Sequence, residues 1–285
     1  MIVLLASAAI DVPWLRVTTL LALAAAAAGY VAASLPLWRS GCWPGVRIVL
    51  WCAGIFAVAV SLVGPLAQLA HHDFAAHMVG HLLLGMLAPL LLVLAAPVTV
   101  ALRRLPAVRA RRLTRLLAAA PVRLLTHPVT ASLLNIGGLW LLYRTGLYSR
   151  LDDSLAVHML VHAHVLGAGY LFAFAFVGVD PAPHRPRFAT RAVVLLIALA
   201  AHAVLAKSLY AGPPPGVPIE QARSGAMVMY YGGDAVDLVL ITVFFRQWFT
   251  ATRPRRRPDR QVEVAPQSGP AAVSSRTTTA RHAGA

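Results

Sequence analysis

The chain has 285 residues, of which 59% are hydrophobic and only 12% are charged, and its mean hydropathy is +0.70. Soluble domains carry about 45–50% apolar and about 25% charged residues, so this composition excludes a soluble enzyme, a disordered chain and a disulfide scaffold. It is typical of an all-α polytopic membrane protein. The net charge of +15 indicates either binding to nucleic acid or the topology of a membrane protein.

Seven stretches of the chain are long and apolar enough to cross a bilayer. A bilayer core about 30 Å thick requires about 20 mostly apolar residues in a helix. In chain order, helices one to seven are predicted at 17–38, 48–72, 74–102, 124–143, 154–179, 192–211 and 226–248. The first fifteen residues hold no lysine or arginine, so we expect no conventional signal peptide. The sequence thus predicts a seven-helix membrane domain over 1–249.

The arginines fall mainly on one side of these helices. The loop 103–126 holds seven arginines and no acid, and with 39–47, 179–191 and the end of the chain it accounts for 20 of the 25 lysines and arginines. Cytoplasmic loops carry such an excess, so we predict an outer N-terminus and a cytoplasmic C-terminus. Topology then explains the charge, and the lipid bilayer rather than nucleic acid is the expected partner. Residues 250–285 are predicted to form a disordered basic cytoplasmic tail.

Histidines and aspartates concentrate in the outer half of four predicted helices. Under this topology helices three, five, six and seven place them at a similar depth, roughly 3–13 Å below the outer boundary. The layer contains His77, His81, His158, His162, His164, His202, Asp234 and Asp237. An aspartate at the centre of a membrane helix costs about 2.5–3.5 kcal/mol, so this layer calls for a functional reason.

The spacing of the histidines indicates a metal site. Helices three and five share the pattern His-Met-x-x-His, and residues four apart project from one helix face, where they can chelate one ion. The predicted metal ligands are His77, His81, His158 and His162, with His202 and Asp234 as further ligands or supporting partners. The other candidate supporting residues are Asp73, His164, Asp237 and Tyr230. His164 lies about 200° around its helix from His162, so we expect it to form a second site or to bond a neighbouring helix.

The residue types are compatible with more than one metal and also with a site that holds no metal. Imidazole with thioether groups suits copper, whereas imidazole with carboxylate also suits zinc or iron. A proton relay without metal would use the same residues. A single histidine in a membrane helix often forms an interhelical hydrogen bond, which is the alternative role of His202 and of the His-Ala-His in helix five.

Several motifs of the chain resemble the multi-spanning CtaG-type cytochrome c oxidase assembly proteins. They are HMVGHLLLGMLAPLLLVLAAPVTVALRRLP at 77–106, HP at 127–128, LY at 147–148, HMLVHAHVLGAGYLF at 158–172, GVDPAPHR at 178–185 and the later His202. The resemblance covers roughly 45–245. It implies a seven-helix protein of the bacterial plasma membrane that handles copper in the biogenesis of a respiratory oxidase. It also implies functional roles for His77, His81, His158, His162 and His202, and a terminal oxidase subunit or a copper-delivery protein as partner.

The predicted function is therefore that of a non-enzymatic oxidase assembly factor. Three other classes of membrane protein are the alternatives. A membrane desaturase or hydroxylase also uses HxxxH boxes, but on the cytoplasmic side and with HxxHH patterns that this sequence lacks. A bis-histidine haem protein would take ligands from two helices, for example His81 and His162. A copper transporter would need ligands along the whole path, and the inner half supplies only Cys52.

Overall fold

The computed structural model describes residues 13–151, 154–182 and 184–253. Over these ranges the chain is built from helices and connecting turns, with no β-strand. It divides into two units, Met1–Ala251 and Thr252–Ala285, and the account below concerns the first. Apart from 250–253, the predicted tail lies outside the described residues.

Six helices of the described chain are long and apolar enough to cross a membrane. They are helix one (Pro13–Arg39), helix two (Val46–Leu69), helix three (Phe74–Arg104), helix five (Leu155–Val177), helix six (Phe188–Ala211) and helix seven (Ile219–Thr252). Each overlaps the stretch predicted for it from composition. Two short connecting helices, Ala107–Leu117 and Ala120–Leu125, follow helix three.

Helix four differs from its prediction in length and start. It is a helical run over 128–144, made of Pro128–Ser132, the π-helical turn Leu133–Gly137 and Gly138–Arg144. At 1.5 Å per residue the run is about 25 Å long, less than a bilayer core of about 30 Å. The predicted start at residue 124 is too early because His127 is extended before Pro128, as the residue before a proline usually is. Its crossing of the membrane, and with it the seventh span, stays a prediction.

Helices three and five cross in close contact at two glycines. A Cβ atom on Gly169 would collide with the carbonyl oxygen of Gly85 and approach Pro89. The Gly85 carbonyl is available because Pro89, four residues later, has no N–H to donate to it, and the π-helical turn Leu83–Leu87 lies at this point. The histidine pairs 77–81 and 158–162 precede this crossing on their two helices by a few residues, so both lie on the same side of it.

The opposite end of the bundle is held together by hydrogen bonds around the GVDPAPHR turn. The carboxylate of Asp180 accepts from the backbone N–H groups of Val98 and Thr99, at 3.1 and 2.7 Å, and from the Thr99 hydroxyl at 2.6 Å. These amides open the last segment of helix three, Pro97–Arg104, where the helix dipole favours a negative charge. The turn therefore fixes the end of helix three.

The last carbonyls of helix five are bonded at the same end. Arg191 of helix six donates to Phe176, Gln247 of helix seven donates to Val177 at 2.8 Å, and Arg185 donates to Gly178 at 2.6 Å. The final carbonyls of a helix have no partner within the helix and need such donors. Helices five, six and seven are thereby joined at one end, which the arginine distribution predicts to face the cytoplasm and which we call the inner end. The histidines of helices three, five and six lie in the other half of the bundle, which we call the outer half.

Candidate metal centre

His77 lies in an aromatic pocket built by helices three and four. Its Nε2 atom is hydrogen-bonded to the hydroxyl of Tyr143 at 3.1 Å, and Tyr143 is only 1% exposed. The rings of Phe74 and Tyr148 lie 5.9 and 5.0 Å from the His77 ring. This packing fixes the orientation of the imidazole, and the hydrogen bond with Tyr143 uses only its Nε2 atom.

His81, one turn further along helix three, faces His202 of helix six. The two rings are 6.4 Å apart between centroids, and the side chains are 7% and 4% exposed. Within the described chain, neither ring nitrogen of His81 has a hydrogen-bond partner, and the same holds for Nε2 of His202. A buried polar group without a partner costs about 1–3 kcal/mol. Burying these nitrogens therefore lowers the stability of the fold, so a purely structural role does not explain the pair.

The His81–His202 pair has the chemistry and the spacing of metal ligands. A neutral imidazole nitrogen is a common ligand of copper and zinc. With bonds of about 2.0–2.1 Å, and with each nitrogen about 1.2 Å from its ring centroid, two imidazoles on one ion have centroids no more than about 6.5 Å apart. The observed 6.4 Å satisfies this limit for a nearly linear N–metal–N arrangement, whereas tetrahedral coordination would require the two rings to lie closer together. His77 lies close enough to His81 for an electrostatic interaction, so a third imidazole is nearby.

Helix seven packs against this pair through Gly233. A Cβ atom on Gly233 would come within 2.7 Å of the His202 ring, so glycine permits the approach. The next residue, Asp234, is exposed and close enough to His202 for an electrostatic interaction, whereas Asp237 is buried at 7% exposure beside Asp234. The predicted ligand Asp234 thus adjoins His202 from an exposed position on helix seven.

His158 and His162 form a second group at the start of helix five. Their rings stack at 4.2 Å, and His71, from the turn before helix three, stacks on His158 at 5.7 Å. The Nδ1–H of His162 donates to the His158 carbonyl at 2.8 Å, so the lone pair of the neutral ring lies on Nε2. Ring contacts thus join His81 with His202, and join His158 with His162 and His71.

Three supporting residues of the sequence prediction have structural partners of other kinds. Asp73 caps helix three, accepting from the amides of Ala75 and Ala76 at 2.6 and 3.3 Å. Tyr230 lies under the ammonium group of Lys207, 5.3 Å from its ring centroid. His164 needs separate treatment because it joins two helices.

His164 bonds helix four, as one of its two predicted alternatives required. Its Nε2–H donates to the Leu134 carbonyl at 3.1 Å, inside the π-helical turn of that helix. A Cβ atom on Gly138 would meet the imidazole at 2.5 Å, so this glycine makes room for the ring. His164 thus holds helices four and five together.

Sequence reasoning missed two residues that the structure brings to these groups. Tyr143 is a single tyrosine in an apolar stretch, with no spacing pattern to mark it. His71 precedes the Asp73 cap, and only its position next to a histidine-bearing helix start could have indicated it. Among the described residues, no three His, Cys, Asp or Glu side chains are arranged to hold a metal ion. The four-histidine ligand set therefore stays a prediction.

Comparison with known proteins assigns the chain to a family. The family described as cytochrome c oxidase caa3 assembly factor (Caa3_CtaG) matches residues 28–251. Uncharacterized protein ML1998 of Mycobacterium leprae is 33% identical over 61% of this chain, and uncharacterized protein Mb0105 of Mycobacterium bovis is 34% identical over 62%. This chain spans only 28% of the length of each of these relatives, and no solved structure matches it.

The family match covers every helix of the described chain except the first part of helix one. It confirms the resemblance to CtaG-type proteins, and with six apolar helices of spanning length it identifies a multi-pass bacterial membrane protein. The chain belongs to the family of cytochrome c oxidase caa3 assembly factors.

Proposed function

We propose that this protein binds copper in the outer half of the membrane and assists its insertion into a terminal oxidase. The observation that carries the proposal is the His81–His202 pair, because it buries three imidazole nitrogens without hydrogen-bond partners within the described residues. The family supplies the link to an oxidase. In this proposal copper is the cargo, and the protein delivers it without catalysing a reaction.

The proposed holding site is narrower than the set predicted from spacing. His81 and His202 are the proposed ligands, and His77, held by Tyr143, would have to move to join them as a third ligand. His158 and His162, which stack on one another and next to His71, are not ligands of this proposed site. We assign them a secondary role in uptake, and Asp234 a supporting role beside His202.

The proposed topology has seven spans with the N-terminus outside. Its support is the arginine distribution, which puts the loop 103–126 and the turn at 178–187 in the cytoplasm. Alkaline phosphatase works only outside the cytoplasm, so its fusion after helix seven should be inactive, whereas a fusion in the outer loop 212–218 should be active. The reverse result would invert the topology and place the histidines in the cytoplasmic half.

The decisive experiment counts copper bound per purified chain. The double variant His81→Ala/His202→Ala should lose bound copper, whereas His158→Ala/His162→Ala, which removes the same number of imidazoles, should keep most of it. His72→Ala, an exposed neighbour, is the silent control. If both double variants lose copper equally, the wider four-histidine site is correct. If the wild type binds no copper, the metal proposal fails.

The client is tested in cells that depend on a copper-containing terminal oxidase. We expect the His81→Ala/His202→Ala variant to lower oxidase activity and oxidase copper without lowering the amount of this protein in the membrane. Normal oxidase copper with this variant would contradict the delivery role. A visible Soret band in the purified wild type would instead support the haem alternative.

A further inference from the structure

A small cavity lies at the inner end of helix five, twelve residues beyond His162 and away from the histidines of the candidate metal centre. We call it the helix-five-end cavity, and its volume is about 50 Å³. It is lined by Phe174 and Ala175 of helix five, by the connecting helix Ala120–Leu125 and by residues 181, 182 and 184–186 of the following turn. Its polar lining comes from Arg123, Thr126, His184 and Arg185, and no acidic residue of the described chain lines it.

The two arginines of this cavity have no carboxylate to neutralise them there. Arg185 donates one bond to the Gly178 carbonyl, but a guanidinium carries five donors. The Arg185 side chain is half-buried, and this burial lowers the pKa of its guanidinium. The neighbouring Asp180 uses both of its oxygens on helix three. The cavity therefore offers cationic donors to an anion.

The segment that supplies Arg123 has the character of a helix at a membrane surface. Neither connecting helix has a buried residue, although each is rich in leucine. The exposed apolar residues are Val108, Leu116, Leu124 and Leu125, and they alternate with the arginines of the loop 103–126. Helices that expose both kinds of residue lie in the headgroup region, with the apolar side chains toward the acyl chains. The cavity is accordingly at the depth of lipid phosphates.

We propose that the helix-five-end cavity binds the phosphate of an anionic phospholipid, with Arg123 and Arg185 as its cationic donors. Guanidinium groups match phosphate oxygens through paired hydrogen bonds. The exposed leucines beside the cavity would lie along the acyl chains of the same lipid. A bound lipid would join the connecting helix Ala120–Leu125 to the GVDPAPHR turn across the cavity.

The test measures thermal unfolding of the full chain in detergent as lipid is added. A ligand of the native state raises the unfolding midpoint. Phosphatidylglycerol, phosphatidylcholine and inorganic phosphate are compared at about 0.5 M salt, where exposed charges are screened. Arg123→Ala is paired with Arg115→Ala, since both remove one exposed arginine from the same loop and only Arg123 lines the cavity.

Phosphatidylglycerol alone should stabilise the wild type and Arg115→Ala at the same lipid concentration. Arg123→Ala should need about fivefold more lipid, the effect of one arginine at an anionic membrane surface, and Arg123→Lys should recover part of the loss. Equal weakening in Arg115→Ala would show attraction by the loop as a whole and overturn the cavity. An Arg123-dependent response to inorganic phosphate would overturn the lipid as ligand, and no response to any of the three would overturn the site.

Discussion

The two ends of the helix bundle hold polar groups in opposite ways. At the inner end, Asp180, Arg185, Arg191 and Gln247 are held within the bundle, and each makes at least one hydrogen bond to a helix terminus. In the outer half, His81 is as buried as Asp180 and Arg191 but makes no hydrogen bond within the described residues. Both ends use polar groups to hold helices together, but in the outer half the His81–His202 pair also leaves three buried imidazole nitrogens without partners in the described chain.

In the copper proposal, this difference separates residues that stabilise the structure from residues that bind the metal. A satisfied buried network strengthens a fold, whereas an unsatisfied buried group weakens it. Replacing an inner residue should therefore lower stability and leave copper binding intact. Replacing His81 or His202 should do the opposite, and the following substitutions test that contrast.

The largest effect is expected for His81→Leu. Leucine removes two unpaired nitrogens from a buried position, so the free energy of unfolding should stay the same or rise. Copper affinity should fall at least a hundredfold, because losing even a group that only orients a ligand costs about 10–100-fold. Copper titration and thermal unfolding of the same preparation measure both. An unfolded His81→Leu variant beside an unchanged His72→Leu control would make His81 a structural residue.

The inner counterpart is Asp180→Ala. It removes the acceptor for the Val98 and Thr99 donors, and we expect a loss of about 2–4 kcal/mol in the free energy of unfolding. Copper bound per folded chain should not change. Asp180→Asn, which keeps one acceptor oxygen, should lose less. A copper affinity that fell as far as in His81→Leu would abolish the contrast between the two ends.

An intermediate effect is expected for Tyr143→Phe. The hydroxyl that orients His77 is lost, and copper affinity should drop about tenfold with little change in fold. Tyr230→Phe is the matched control, because Tyr230 packs against Lys207 instead. If the control weakens copper binding and Tyr143→Phe does not, the supporting role predicted for Tyr230 from its spacing is the right one.

The smallest effect is expected for His164→Ala. Loss of its bond to the Leu134 carbonyl should lower stability by about 0.5–1.5 kcal/mol, the usual range for an interhelical hydrogen bond in membranes. Copper binding should be unaffected. Gly138→Ala should be harmful alone and tolerated in the His164→Ala background, which a double-mutant cycle measures. Additive losses would show that the imidazole and Gly138 do not constrain one another.

The helices were predictable because a bilayer requires long apolar stretches, and six of them have spanning length. That His81 and His202 lie at the same level of the helix bundle also followed from counting residues along helices. The pairing of His81 with His202 did not, because it depends on how helices rotate about their axes. Close approaches set that rotation, at Gly85 near His81 and at Gly233 near His202, and a sequence does not show which helices meet there.

Two local features show where pattern reasoning stopped. The sequence predicts Asp73 as a supporting partner of His77. An aspartate directly before a helix, however, accepts hydrogen bonds from the first backbone amides of that helix more readily than it reaches a side chain one turn further along. The His-Met-x-x-His pattern is the same in helices three and five, yet His77 meets Tyr143 whereas His158 stacks on His162 and His71. The same spacing therefore does not imply the same environment.

The most direct test of the account is X-ray absorption at the copper edge of the copper-loaded protein. We expect nitrogen scatterers at about 2.0 Å with the outer-ring signature of imidazole, a spectrum unchanged in His158→Ala/His162→Ala and lost in His81→Ala/His202→Ala. Sulfur or carboxylate scatterers, or an imidazole spectrum that survives removal of His81 and His202, would contradict the proposal that this buried pair holds the metal.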